Sequence, residues 1–113
     1  MSEAARLWHV RLTVAGPETE RFVVRRALQR LVEERPFLAS LRYSVDCAEL
    51  CYWEQAGSLV DAASLALRLW GEHRDSAGLP PWEVVGLQVR ERDLVRGGTQ
   101  LESATDVNVA PLF

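Results

Sequence analysis

Few residues in this chain combine the type and spacing that chemistry needs. Cys47 and Cys51 are spaced C-x3-C, which could be half of a metal site. A four-coordinate site needs two more ligands, and the two histidines, His9 and His73, fall on different predicted elements. The cysteines therefore read as ordinary reduced thiols, and no metal is expected. His73 lies in the last turn of a predicted helix, beside Glu72 and Asp75. It could act there as a general base, but a histidine at a helix C-terminus also suits the orphan carbonyls and the dipole. Asp46 and Glu49 could work as a carboxylate pair in a cleft. On a turn they read instead as solvated groups, with Asp46 supplying turn hydrogen bonds. No catalytic residue and no cofactor is assigned.

Composition narrows the field further. The 13 basic residues are all arginine, and isoleucine is also absent. This matches the codon usage of a GC-rich bacterial genome. Without a lysine side chain there is no Schiff-base chemistry. The net charge of -3 is built from interspersed charges, unlike the basic face of a nucleic-acid binder. No apolar run approaches the ~20 residues of a membrane span. The N-terminal MSEAARLWHVR lacks the apolar core of a signal peptide. These features together imply a cytoplasmic protein with reduced thiols. A chain of 113 residues has room for one domain.

The elements that would position any site follow from hydrophobic periodicity. The strongest signal is Ser58 to His73, where Leu59, Ala62, Ala63, Ala66, Leu69, Trp70 and His73 share one helical face. Ser58 and Asp61 mark its start like a capping box, and Gly78 with Pro80-Pro81 marks its stop. Leu7 to Val14 alternates as a strand, with Trp8, Val10, Leu12 and Val14 on one side. Pro17 is expected to open a first helix running to Glu34, with Val24, Ala27, Leu28 and Leu31 as its apolar stripe. Phe37 to Val45 and Leu50 to Gln55 read as an antiparallel pair, with Ala39, Leu41, Tyr43 and Val45 on one face of the former. Trp82 to Arg90 reads as the last strand, with Val85, Leu87 and Val89 on one face.

The order strand, helix, strand, strand, helix, strand contains two strand–helix–strand units. Right-handed crossovers fold such units into a four-stranded antiparallel sheet, in spatial order 4-1-3-2, with both helices on one face. This α+β pattern resembles the ferredoxin-like superfold over about residues 5–92, within a domain read as residues 1–96. Residues 97–113 read as an extended arm or tail. The metallochaperone branch of that superfold carries a CxxC in its first loop, where this chain has Ala15-Gly16-Pro17. The RNA-recognition branch needs stacked aromatics in a basic motif, and His9 and Arg11 offer none. The dimeric α+β-barrel branch has no short motif to test.

Trp53 stands apart from the other tryptophans. With Leu50 and Tyr52 turned toward the helices, it projects from the open side of the sheet, near His9, Arg11 and, from the neighbouring strand, Arg42. A tryptophan among arginines there is either a cation–π decorated surface or an interface anchor, and a covered face is the preferred reading. In the tail, Val107 and Val109 would face one side of an extended strand, with Leu112 and Phe113 beyond them. Three functional readings follow. One is a non-enzymatic, homo-oligomeric binding or regulatory module, with a dimer expected, whose sheet face packs against a second subunit or its own tail. The second is a small-molecule site or cofactor-free enzyme between helices and sheet, which a polar pocket at Tyr43, Tyr52 or His73 would mark. The third is an accessory subunit that docks a protein partner through its tail.

Overall fold

The computed structural model describes residues 6–92. Six elements occur in the expected order: β1 (Arg6–Ala15), α1 (Arg21–Glu34), β2 (Leu38–Tyr43), β3 (Cys47–Ala56), α2 (Leu59–Ala77) and β4 (Glu83–Glu91). They form one antiparallel sheet of order β2-β3-β1-β4, the 4-1-3-2 arrangement. β1 is central, pairing with β3 on one side and β4 on the other, and its alternation of buried and less buried residues runs unbroken from Leu7 to Ala15. Its inward residues Val10, Leu12 and Val14 pack with Leu50 and Tyr52 of β3 and with the apolar stripes of both helices. Both helices thus cover one face of the sheet, and the other face is open among the described residues.

α2 is the main partner of that core. Ala62 and Ala66 are fully buried, because their small side chains let the helix lie close to the sheet, while Leu69 and Trp70 fill the space beside them. The Ser58 hydroxyl accepts the Asp61 N–H at 3.1 Å, so the expected cap forms. Gly78 closes the helix in the left-handed region at φ 74°, where glycine has no Cβ penalty. The helix runs four residues past His73, and Ala77 is buried. Leu59, expected on the buried face, is half exposed at the helix start.

Three expectations are corrected. Pro17 does not open α1, which begins at Arg21. The Gly16 and Thr19 N–H groups bond instead to the carbonyls of Asp46 and Val45, which holds the segment extended against the β2–β3 turn. In β4, the register to β1 jumps from Thr13↔Gly86 to Val14↔Val84. Val85 is the extra residue of a bulge and points to solvent at 61% exposure, while Val84, Leu87 and Val89 pack on the core. In β2, the register to β3 shifts between Leu38 and Ser40. Ala39 is exposed there, and the inward set is Leu38, Leu41 and Tyr43.

Candidate functional site

The open face of the sheet can be laid out row by row from the strand registers. Cys47, Glu49, Cys51, Trp53 and Gln55 project from β3 on the side opposite Ala48, Leu50 and Tyr52. His9 lies opposite Trp53 and Arg90, Arg11 opposite Cys51 and Gln88, and Thr13 opposite Glu49 and Gly86. Arg42 of β2 lies opposite Glu49. Sequence reasoning thus placed Trp53, His9, Arg11 and Arg42 on one face, and the structure brings them together there.

Their pairings are more specific than expected. The His9 ring meets Trp53 edge-on, with centroids 4.9 Å apart and planes at 68°, a favoured arrangement for aromatic pairs. Arg11 and Arg42 flank Glu49, each with a guanidinium nitrogen 3.7 Å from a carboxylate oxygen. Burial, then the cations of Arg11 and Arg90, hold the His9 pKa below its ordinary value of 6.5. The imidazole is therefore neutral at neutral pH, which suits its stacking role and an apolar partner. Both cysteines are free thiols on this same face, and burial pushes the Cys47 pKa up, away from the reactive thiolate form. Among the described residues, no cluster of three His, Cys, Asp or Glu side chains could hold a metal ion. The expected contacts Val107, Val109, Leu112 and Phe113 lie outside the described residues.

The two acidic candidates separate. Asp46 sits in the β2–β3 turn, where its carboxylate accepts the Ser44 hydroxyl at 2.9 Å, while Glu49 faces the arginines one strand away. His73 does not pair with Glu72 or Asp75. Its Nδ1 lies 2.7 Å from Oε1 of Glu34, at the end of α1, and the Ser76 hydroxyl donates to the same oxygen at 2.7 Å. Hydrogen bonds from Ser76 and then His73 hold Glu34 below the usual carboxylate range. Serine and histidine both point at the carboxylate, so no histidine is placed to take the serine proton. The cluster ties the C-terminal turns of the two helices together and is not a nucleophilic triad.

A second feature escaped sequence reasoning. β2 pairs with β3 only as far as Leu38↔Tyr52, whereas β1 pairs with β3 out to Arg6↔Ala56. Beyond Tyr52, β3 has a neighbour on one side alone among the described residues. A cleft of about 540 Å³ opens there between Trp53–Gln55 and the Arg35–Phe37 link, with Leu7 at its margin. Phe37 is 68% exposed on its wall. Arg35 lies over the Tyr52 ring at 5.6 Å and reaches Glu54 at 3.3 Å. Among the described residues, the buried side-chain polar atoms without a partner are Arg35 Nε and Tyr52 Oη, both at this corner. Burial pushes the Tyr52 pKa up to about 12. An orphaned buried hydroxyl carries its desolvation cost without return. Tyr52→Phe is therefore expected to leave stability unchanged or raise it by up to about 1 kcal/mol. Urea unfolding checks this, and a clear loss of stability would mean the hydroxyl has a partner after all.

A family match spans residues 7–106, nearly the whole chain. The chain belongs to the DUF8830 family, a domain of unknown function. The DUF8830 match covers both helices, the four strands from Leu7 onward and residues past the end of β4. No curated protein and no solved structure matches the chain.

Proposed function

We propose that this DUF8830 chain is a non-catalytic, homo-oligomeric binding module, and that two copies associate through the open faces of their sheets. One observation carries the reading: on the two inner strands of the sheet, the open face presents a half-buried tryptophan locked edge-on against a neutral histidine. Aromatic anchors near the middle of a patch are the usual energetic centre of an interface. Dimensions are adequate. Four strands at ~4.8 Å spacing and about nine residues at ~3.4 Å give a face of roughly 19 by 30 Å. Two such faces remove on the order of 1,200 Å² from solvent, the lower end of specific interfaces. A two-fold arrangement brings each patch onto itself, so Glu49 of one copy can meet the arginines of the other. A charge row of both signs, Arg11–Glu49–Arg42, suits this self-pairing better than it suits a polyanion such as nucleic acid.

The interior supports this reading over a small-molecule enzyme. Between helices and sheet, where a substrate pocket would lie, Leu12, Leu31, Leu50, Tyr52, Leu69 and Trp70 are buried and packed together. The cleft beside Trp53 lies at the surface, and Tyr43 lines a surface hollow beside Arg21 and Arg25. No helix among the described residues is long and apolar enough to cross a membrane, which fits the cytoplasmic location included in this proposal.

Trp53→Ala is the test. The native mass of the full chain, measured by analytical ultracentrifugation across a concentration series, should be that of a dimer and should shift toward monomer in the variant. The far-ultraviolet circular dichroism should not change, since Trp53 lies outside the core. A wild-type chain that is monomeric at high micromolar concentration overturns the reading.

A further inference from the structure

We infer that the cleft beside Trp53–Ala56 is the receptor for the chain's own residues 107–113, which add to β3 as a short extended strand in the same molecule. The first support is the strand edge. β3 continues four residues past the end of its pairing with β2, while β1 covers its other side throughout. The backbone groups that point away from β1 over this stretch face the cleft. An open strand edge beside apolar walls is the standard acceptor for strand addition. Pro36, Phe37, Trp53 and Leu7 supply those walls, and the high exposure of Phe37 shows that no described residue covers it.

The second support is where the chain leaves the sheet. Glu91 of β4 lies opposite Trp8, and the other neighbour of Trp8 is Glu54, beside the cleft. The described chain thus stops at the same end of the sheet as the cleft. From β4 to the position beyond β3 is three strand spacings, about 15 Å. Residues 93–106 intervene before Val107. At ~3.3 Å per residue they reach several times that distance, and the cost of closing a connection grows only slowly with its length.

The third support is sequence pattern. Val107 and Val109 share a face in an extended segment, and Leu112 and Phe113 follow. Tethering favours the chain's own cleft over another copy's, because it raises the local concentration of the segment to the millimolar range. The cleft shares Trp53 with the proposed sheet-face dimer, so the variants used here leave Trp53 unchanged and a failure of one proposal can be told from a failure of the other.

Amide hydrogen exchange of the isotope-labelled full chain, read residue by residue by NMR, tests the docking. The informative amides are those of Trp53–Ala56 that β1 does not bond. In the wild type they should exchange about tenfold or more slowly than unstructured amides. The double variant Val107→Asp/Val109→Asp should remove that protection, and so should Phe37→Ser, while the β1–β4 amides keep theirs. Adding unlabelled wild-type chain to the labelled double variant should not restore it. Edge amides that are unprotected in the wild type overturn the inference, as does protection that survives the double variant. Restoration by the unlabelled chain also overturns it, because the segment would then come from a second copy.

Discussion

Trp70→Ala is expected to cost about 3–5 kcal/mol, the range for truncating a buried aromatic, and so to remove much of a total stability of about 5–15 kcal/mol. Trp70 is 2% exposed. Its ring stacks on Trp82 with centroids 6.0 Å apart and planes within 5°, and its Nε1–H donates to the Pro80 carbonyl at 3.0 Å. That carbonyl also accepts the Trp82 N–H at 2.7 Å. One side chain therefore fills the space under α2 and fastens the link that leads into β4. Trp70→Phe keeps much of the volume but loses the hydrogen bond, and should cost less. Leu67, on the outer side of the same helix, is 51% exposed, so Leu67→Gln should change stability by no more than about 0.5 kcal/mol. Thermal and urea unfolding of the three variants give the ranking. Equal losses at Trp70 and Leu67 would contradict the orientation of α2.

The central strands and the core-facing stripes were legible in the sequence because local pattern and global packing agree there. β1 alternates without interruption, and β3 places Leu50 and Tyr52 inward as their spacing requires, so the position of Trp53 on the open face followed. The outer strands misled in phase. Val84 and Val85 are adjacent and both apolar, so either could begin the inward set. The choice is made by a bulge against Thr13 and Val14, which only the register shows. Ala39 misled for the same reason, since a bulge opposite Tyr52 and Cys51 moves Leu38 to the inner side. The start of α1 was misplaced because Pro17 is a good local signal that backbone bonds to Val45 and Asp46 override. The site divides along the same line. His9 and Trp53 are cross-strand neighbours by alternation alone. The Glu34–His73–Ser76 contact depends on how two helices pack, and the cleft depends on where β2 stops. Neither is written in any local window, although the exposed Phe37 beside Pro36 is a signal that could have drawn attention to the cleft.

Gly16→Ala should destabilise the fold by about 1–3 kcal/mol, the usual cost of overpacking, even though Gly16 itself is exposed and its φ is not in the left-handed region. The reason is space. A Cβ at this position would stand 2.5 Å from Cδ1 of Trp82 and 3.1 Å from its Cα. The indole cannot swing aside cheaply. It is buried, stacked on Trp70, and its Nε1–H donates to the Pro17 carbonyl at 2.8 Å. Nor can the backbone of Gly16 easily retreat, since its N–H bonds to the Asp46 carbonyl at 3.1 Å. The methyl therefore forces apart the link after β1, the β2–β3 turn and the start of β4 together. A double-mutant cycle separates this clash from any effect of glycine on the unfolded chain. Trp82→Leu alone should be costly, because it empties a core site. Combined with Gly16→Ala, it should cost less than the sum of the two single changes, since the removed ring is what the methyl strikes. Additive losses in urea unfolding would show that Gly16 is required for its backbone freedom and not for the close approach of Trp82.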